Sequence, residues 1–168
     1  DWTTITQSAR AKQWAIEEDT YLTQQADRVV VVSDSLCEKK RQQRQDVVLV
    51  PNGVDAQRYA AVSHRTLTPH TKTQGWTHPV LGYTGMLHAD RFDIELTREL
   101  ARRFPQGTLA LVGPNLLDGT RLERLLSEPN IRVTGPVPHH ELPNIMTAFD
   151  VCIVPNLLNA FSESQNPL

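Results

Sequence analysis

The chain has 168 residues, 39% of them hydrophobic and 21% charged, ordinary proportions for a globular protein of one to one and a half domains. Its 17 basic and 19 acidic side chains leave a net charge of −2, which argues against nucleic acid or a membrane surface as the main partner. No stretch approaches the roughly 18 apolar residues of a membrane span, there is no secretory leader pattern, and Cys37 and Cys152 stand far apart without a CxxC or Cys/His grouping. A zinc site or disulfide framework is thus disfavoured, both thiols are expected in apolar surroundings, and a reducing cytoplasmic compartment is expected. The start at Asp1 and the stop at Leu168 are read as those of a piece of something longer.

Residues 3–25 carry no Gly or Pro and many Ala, Gln, Lys and Glu, and predict a helix. Val29 to Val32 form a continuous apolar run, which fits a strand buried on both faces as in parallel sheets. Ser33, Asp34 and Ser35 offer caps for a short basic helix over about 35–45, whose Lys39, Lys40, Arg41 and Arg44 read as a solvated face. Val47 to Val50 is a second short strand, ended by Pro51-Asn52-Gly53, and completes a βαβ unit. Residues 56–78 are rich in Ser, Thr, Pro and Gly, show little periodicity, and read as a linker or long loop holding a domain boundary.

A second alternating series starts at Pro79. Strands are predicted at 80–84, 108–112, 131–134 and 151–154. Helices are predicted over about 93–104, from Asp118 or Thr120 to Pro129, and over 139–149. Their apolar stripes are Ile94, Thr97, Leu100, Ala101 and Phe104; then Leu122, Leu125 and Leu126; then Leu142, Ile145, Met146 and Phe149. Pro143 is tolerable in a first helical turn. Strict alternation of strand and helix predicts an α/β fold, a Rossmann-like parallel sheet with helices on both faces.

Ligands of open parallel sheets bind outside the carboxyl ends of the strands. The residues to watch are therefore Gly82 to Leu87, Gly113 to Asn115, Gly135 to Val137 and Pro155 to Asn166. Glycine lets a backbone N–H approach a ligand closely, and a following helix N-terminus adds partial positive charge for a phosphate. The same glycines also serve turn geometry alone. GxGxxG, the GxxxxGK[ST] phosphate loop, GxSxG and HExxH are absent, which disfavours NAD enzymes, P-loop NTPases, serine hydrolases and zincins.

Several landmarks in order resemble one family. Val50-Pro51-Asn52-Gly53-Val54-Asp55 is similar to the "PNGVD" segment at the hand-over between the two domains of retaining GT-B glycosyltransferases. Ala26-Asp27-Arg28-Val29 to Ser33 resembles the strand shortly before it, and Tyr83-Thr84-Gly85-Met86-Leu87 the "YxGxL" turn that opens the second domain. Leu111 to Pro114, Gly135 to Pro138, Leu142-Pro143 and Phe149 to Pro155 resemble the next landmarks, and Asn166-Pro167-Leu168 the "NPLK" opening of a motif helix. The resemblance covers nearly the whole chain and rests on the order of its landmarks more than on any one.

The resemblance implies a partial GT-B fold. Residues 1–55 would close the acceptor-side domain, 56–78 would link, and 79–168 would open the nucleotide-sugar domain. It places Gly85, Met86 and Leu87 beside a donor diphosphate, with Arg91 as an added cation, since phosphate favours bidentate Arg donors. Gly113 and Pro114 would border the nucleotide, and Gly135 and Val137 the base through their backbone. Asn166 belongs to the donor-binding set. Glu163 is the acidic residue near the position of the family's first motif glutamate, the catalytic assignment, although Ser164 fits the strict spacing better. The second glutamate would fall beyond Leu168, so this chain alone is expected to be inactive.

The implied reaction moves a sugar from a nucleotide-diphospho-sugar to a hydroxyl acceptor with retention. Backbone amides, helix N-termini and Arg can stabilise charge on the departing diphosphate. No DxD-type pair is present, so a metal-independent reaction without a cofactor is expected. Expected partners are the donor and a glycan or lipid-linked acceptor, as in bacterial cell-surface polysaccharide assembly, with no nucleic acid. Peripheral membrane association belongs to the full-length protein. A GT-B nucleotide-sugar epimerase and a non-catalytic nucleotide-binding domain are the rival readings. Asp90 and Asp118 read as caps, His88, His139 and His140 as surface side chains, and Trp2 and Trp14 as packed on a core or on a missing domain.

Overall fold

The computed structural model describes residues 8–64 and 66–166. The expectations for residues 3–7, Trp2, Pro167 and Leu168 lie outside the described residues. The chain divides into two compact units, Asp1–Val54 with Leu158–Leu168, and Asp55–Leu157.

In the first unit, helix α1 (Ala9–Gln25) opens on Ser8, whose side chain accepts the Ala11 amide at 3.2 Å. Strands β1 (Val29–Val31) and β2 (Val47–Leu49) pair in parallel, with Val30 opposite Val48. Between them runs α2 (Asp34–Arg41), capped by Ser33. The apolar runs are buried on one face only: Val31, Cys37 and Val47 form the core, while Val30 and Val48 are exposed. The basic helix is not a wholly solvated face either. Lys40 is buried, and its ammonium reaches Asp19 at 2.5 Å and Thr23 at 2.7 Å. Arg44 donates to the Thr23 and Ala26 carbonyls at the end of α1, where a cation suits both the orphan acceptors and the helix dipole. Trp14 does not pack on a core; it is 61% exposed.

The second unit begins where a linker was expected. Asp55 caps a helix, α3 (Ala56–Ser63), by accepting the Arg58 amide at 3.1 Å. Thr71–Thr73 adds a 3-10 turn, and Trp76 stacks on Phe149 with ring centroids 6.2 Å apart. Then follow β3 (Val80–Thr84), α4 (Ile94–Arg103), β4 (Thr108–Val112), α5 (Gly119–Leu126), β5 (Ile131–Gly135), α6 (Leu142–Met146) and β6 (Val151–Cys152). The four strands are all parallel, in the order β5-β4-β3-β6.

Strand alternation sends side chains to two faces. Leu81, Leu109 and Leu111 join Ala101 and Leu125 of α4 and α5, while Val80, Ala110 and Val112 join Ile145 and Phe149 on the α6 side. Helices on both faces of a parallel sheet are therefore observed. The Phe149 ring lies directly on Gly82, with no room for a β-carbon there. Asp150, from the Phe149-Asp150-Val151 landmark, accepts the Val80 amide at 2.7 Å and anchors the start of β3. Phe104 and Leu126, expected on the buried stripes, are exposed at helix ends, and Cys152 is exposed on the edge strand. Partial desolvation still holds the Cys152 thiol pKa above its ordinary value.

Candidate functional site

Parallel register brings the turns after β3, β4 and β5 to one edge of the second unit. They are joined backbone to backbone. Gly85 N–H donates to Val112 O at 2.9 Å, Leu87 N–H to Pro114 O at 2.9 Å, and Gly113 N–H to Gly135 O at 3.0 Å. Leu87 and Asn115 form a parallel bridge. Gly85, Leu87, Gly113, Pro114 and Gly135 thus lie together as expected.

Gly113 makes this closeness feasible, and Gly85 leaves room for the Tyr83 ring. Gly113 has φ +142°, and a β-carbon on it would sit 2.8 Å from the Gly85 carbonyl carbon and closer to its oxygen. One on Gly85 would sit 2.6 Å from the Tyr83 ring carbon Cζ. The amides of Gly85, Leu87 and Gly113 are, however, already spent on neighbouring carbonyls. Gly113 lets the two turns touch, and the amides expected to face a ligand are consumed in joining the turns. Met86, half-exposed between them, has an N–H without an acceptor among the described residues. Val137 likewise has no backbone hydrogen-bond partner among the described residues, while its side chain packs on the α6-side core.

Arg91 lies beside the first turn. Its guanidinium donates to the Met86 sulfur at 3.6 Å, and its positive charge partly offsets the rise that burial causes in the Tyr83 pKa. Tyr83 donates its hydroxyl to Met86 O at 3.3 Å and packs against Phe92. The Arg91 carbonyl accepts from Leu157 N–H at 2.7 Å, and Asp93 N–H donates to Pro155 O at 2.8 Å, so the segment after β6 borders the same place. Asp93 caps α4 and Asp118 caps α5. The Arg121 amide holds the Asp118 carboxyl below its usual pKa. Asp90 caps no helix; its amide donates to the His88 ring at 3.2 Å.

Glu163 and Asn166 belong to the first unit by contacts, not to the second as expected. Glu163 sits in a 3-10 turn (Ser162–Ser164) and lines a cavity of about 300 Å³ with Ser33, Asp34, Ser35, Pro51 and Asn166. Ser33 donates its hydroxyl to Ser164 O at 2.9 Å, and Asn52 donates its amide to Asn166 O at 2.8 Å. The "PNGVD" asparagine is therefore a clasp on this segment, a role its spacing did not reveal. Among the described residues no three His, Cys, Asp or Glu side chains gather as a metal site would require, and no helix is long and apolar enough to cross a membrane.

The chain matches no family model. Over 152 residues it is 28% identical to the Bacillus subtilis (strain 168) protein named "Putative teichuronic acid biosynthesis glycosyltransferase TuaH", covering 88% of this chain and 38% of that protein. A crystal structure of Anabaena Alr3699/HepE in complex with UDP and glucose matches with a TM-score of 0.58 and 22% identity, over 78% of this chain and 38% of that one. The chain thus spans 38% of the length of each. Its fold, a parallel sheet flanked by helices, is that of part of the Anabaena structure, and its sequence is similar to that of a protein named a putative teichuronic acid biosynthesis glycosyltransferase.

Proposed function

We propose that this chain is part of a retaining GT-B glycosyltransferase and carries its site for a nucleotide-diphospho-sugar. The observation that carries the reading is the backbone-to-backbone joining of three strand-end turns around Gly85, Gly113 and Gly135. It gathers these turns at the one edge where parallel sheets receive ligands. Support also comes from the two similar proteins, one named for glycosyl transfer and one crystallised with UDP and glucose.

In this reading Met86 N–H and the Arg91 guanidinium face the diphosphate. Departure of a nucleoside diphosphate from the sugar builds negative charge on its terminal phosphate, which a fixed donor and a cation lower in energy. Gly113 and Pro114 border the nucleoside, and the Val137 peptide offers one donor and one acceptor to a base edge. Glu163, with Asn166 beside it in the first unit's cavity, is proposed as the catalytic carboxylate on the resemblance alone. The acceptor is a glycan or lipid-linked hydroxyl, by analogy with the teichuronic acid relative. Because the chain spans 38% of each relative, it is expected to bind donor without transferring sugar.

Calorimetric titration of the chain with UDP, GDP and ADP tests the reading. Saturable binding of at least one, competed by the matching nucleotide sugar, is expected. Absence of binding by all three would overturn it. Retention is read wherever transfer is reconstituted, from the anomeric proton couplings of the product.

A further inference from the structure

We infer that Lys72 is a positioning residue for nucleobase recognition, acting through the turn after β5. This rests on the donor-site reading above. Lys72 lies in the Thr71–Thr73 turn, 62 and 64 residues before Thr134 and Pro136, yet its ammonium bridges two carbonyls at the turn after β5. It donates to Thr134 O at 3.0 Å and to Pro136 O at 3.1 Å.

The need for it follows from the strand register. Leu111 stands opposite Val133, but Val112 stands opposite Gly135, so Thr134 is a bulged residue with no partner on β4. A bulge re-aims the chain and leaves a backbone group outside the ladder. Lys72 supplies the donor that the Thr134 carbonyl lacks. Gly113 N–H meanwhile occupies Gly135 O, and Gly135 takes φ +72°. Three successive carbonyls, those of Thr134, Gly135 and Pro136, are then all held. Pro136 has no N–H, and the Val137 side chain is tied into the core. The peptide left to meet a base is that of Val137, and its direction is set by the two carbonyls Lys72 grips.

Lys72 itself is well anchored. Its own N–H donates to the His70 ring at 3.0 Å, His70 N–H donates to Asn144 O at 3.3 Å, and the far His70 ring nitrogen meets Glu141 at 3.0 Å. The ammonium therefore springs from a fixed base rather than from a free loop. Its action is on the base-side turn; the Gly85 turn and Arg91 do not touch it.

The test compares the chain with Lys72→Met and Lys72→Arg, each titrated with UDP and with inorganic pyrophosphate, and reads the Val137 amide exchange rate by NMR. Lys72→Met is expected to weaken UDP about three- to tenfold, up to one decade in Kd, to leave pyrophosphate unchanged, and to speed Val137 exchange. Lys72→Arg, which keeps a cation that can donate, restores most of the UDP affinity. Equal UDP affinity in Lys72→Met overturns the proposal while leaving the donor site standing. So does parallel weakening of UDP and pyrophosphate, which would mark Lys72 as a phosphate cation or a general structural prop. If the unaltered chain binds none of UDP, GDP and ADP, the donor-site reading falls and this inference with it; if it binds GDP or ADP but not UDP, the same comparison is made with that nucleotide.

Discussion

Replacing Gly113 by alanine probes the contact on which the site is built. The position has φ +142°, where L side chains are rarely found, and backbone strain of this kind costs about 1–3 kcal/mol. The new β-carbon would also press on the Gly85 carbonyl, with its carbon only 2.8 Å away, and this neighbour is backbone rather than a flexible side-chain tip. To make room, the turns must part, which stretches Gly85 N–H to Val112 O and Gly113 N–H to Gly135 O, now 2.9 and 3.0 Å. Those hydrogen bonds are worth about 0.5–1.5 kcal/mol each. A total near 3 kcal/mol is expected, or roughly 6–12 °C in melting temperature for a chain of this length. Gly119→Ala is the control, because nothing lies within 4 Å of a β-carbon there and the residue begins α5. It should be neutral or stabilising by up to about 1 kcal/mol. Thermal unfolding followed by circular dichroism gives both values, and calorimetry with UDP gives the binding arm. A Gly113→Ala chain that melts and binds UDP like the unaltered chain would refute the close approach of the two turns.

Three further outcomes are expected. Arg91→Met should weaken UDP and pyrophosphate alike by about tenfold, roughly 1.4 kcal/mol by isothermal calorimetry; unchanged pyrophosphate binding would remove Arg91 from the site. Asn52→Ala takes away the donor to Asn166 O and should cost about 1 kcal/mol, seen as faster amide exchange over residues 163–166; unaltered exchange there would deny the clasp. Glu128 accepts from Arg102 at 2.6 Å and from Arg98 at 3.1 Å, and the Arg102 hydrogen bond leads the causes that lower its pKa. A depressed carboxylate stabilises the fold above its unfolded pKa, about 4.3, and loses that contribution as pH falls through the lower folded value. Melting curves of Glu128→Gln should accordingly lie below the unaltered chain near neutrality and converge with it in acid; a constant gap would contradict the ion pair.

Much of the second unit was legible because its strands are short apolar runs bounded by Gly or Pro. The run Thr108 to Val112 ends at Gly113-Pro114 and is β4, and Asp93 and Asp118 cap the helices that follow β3 and β4. The first unit misled for a physical reason. A run of four valines carries no period, so Val29 to Val32 could not reveal that one face stays open. Helix α3 was hidden by the Ser, Thr and Pro around it, although Asp55 before Ala56 was a usable cap signal. At the candidate site the sequence shows the glycines at the strand ends, but not that neighbouring carbonyls hold the amides it offers to a ligand. Hydrogen-bond competition of this sort depends on strand register, which a linear sequence does not display. Lys72 and Asn52 were missed likewise, since their partners at Thr134 and Asn166 are distant along the chain.

The most direct measurement is an amide chemical-shift map of the 15N-labelled chain as UDP is added. Saturable shifts at Met86, Arg91, Gly113, Gly135 and Val137, gathered along the carboxyl edge of β3, β4 and β5, are the expected result. Shifts confined to the opposite edge of that sheet or to the outer surfaces of α4 and α5, with those five amides unmoved, would contradict the account.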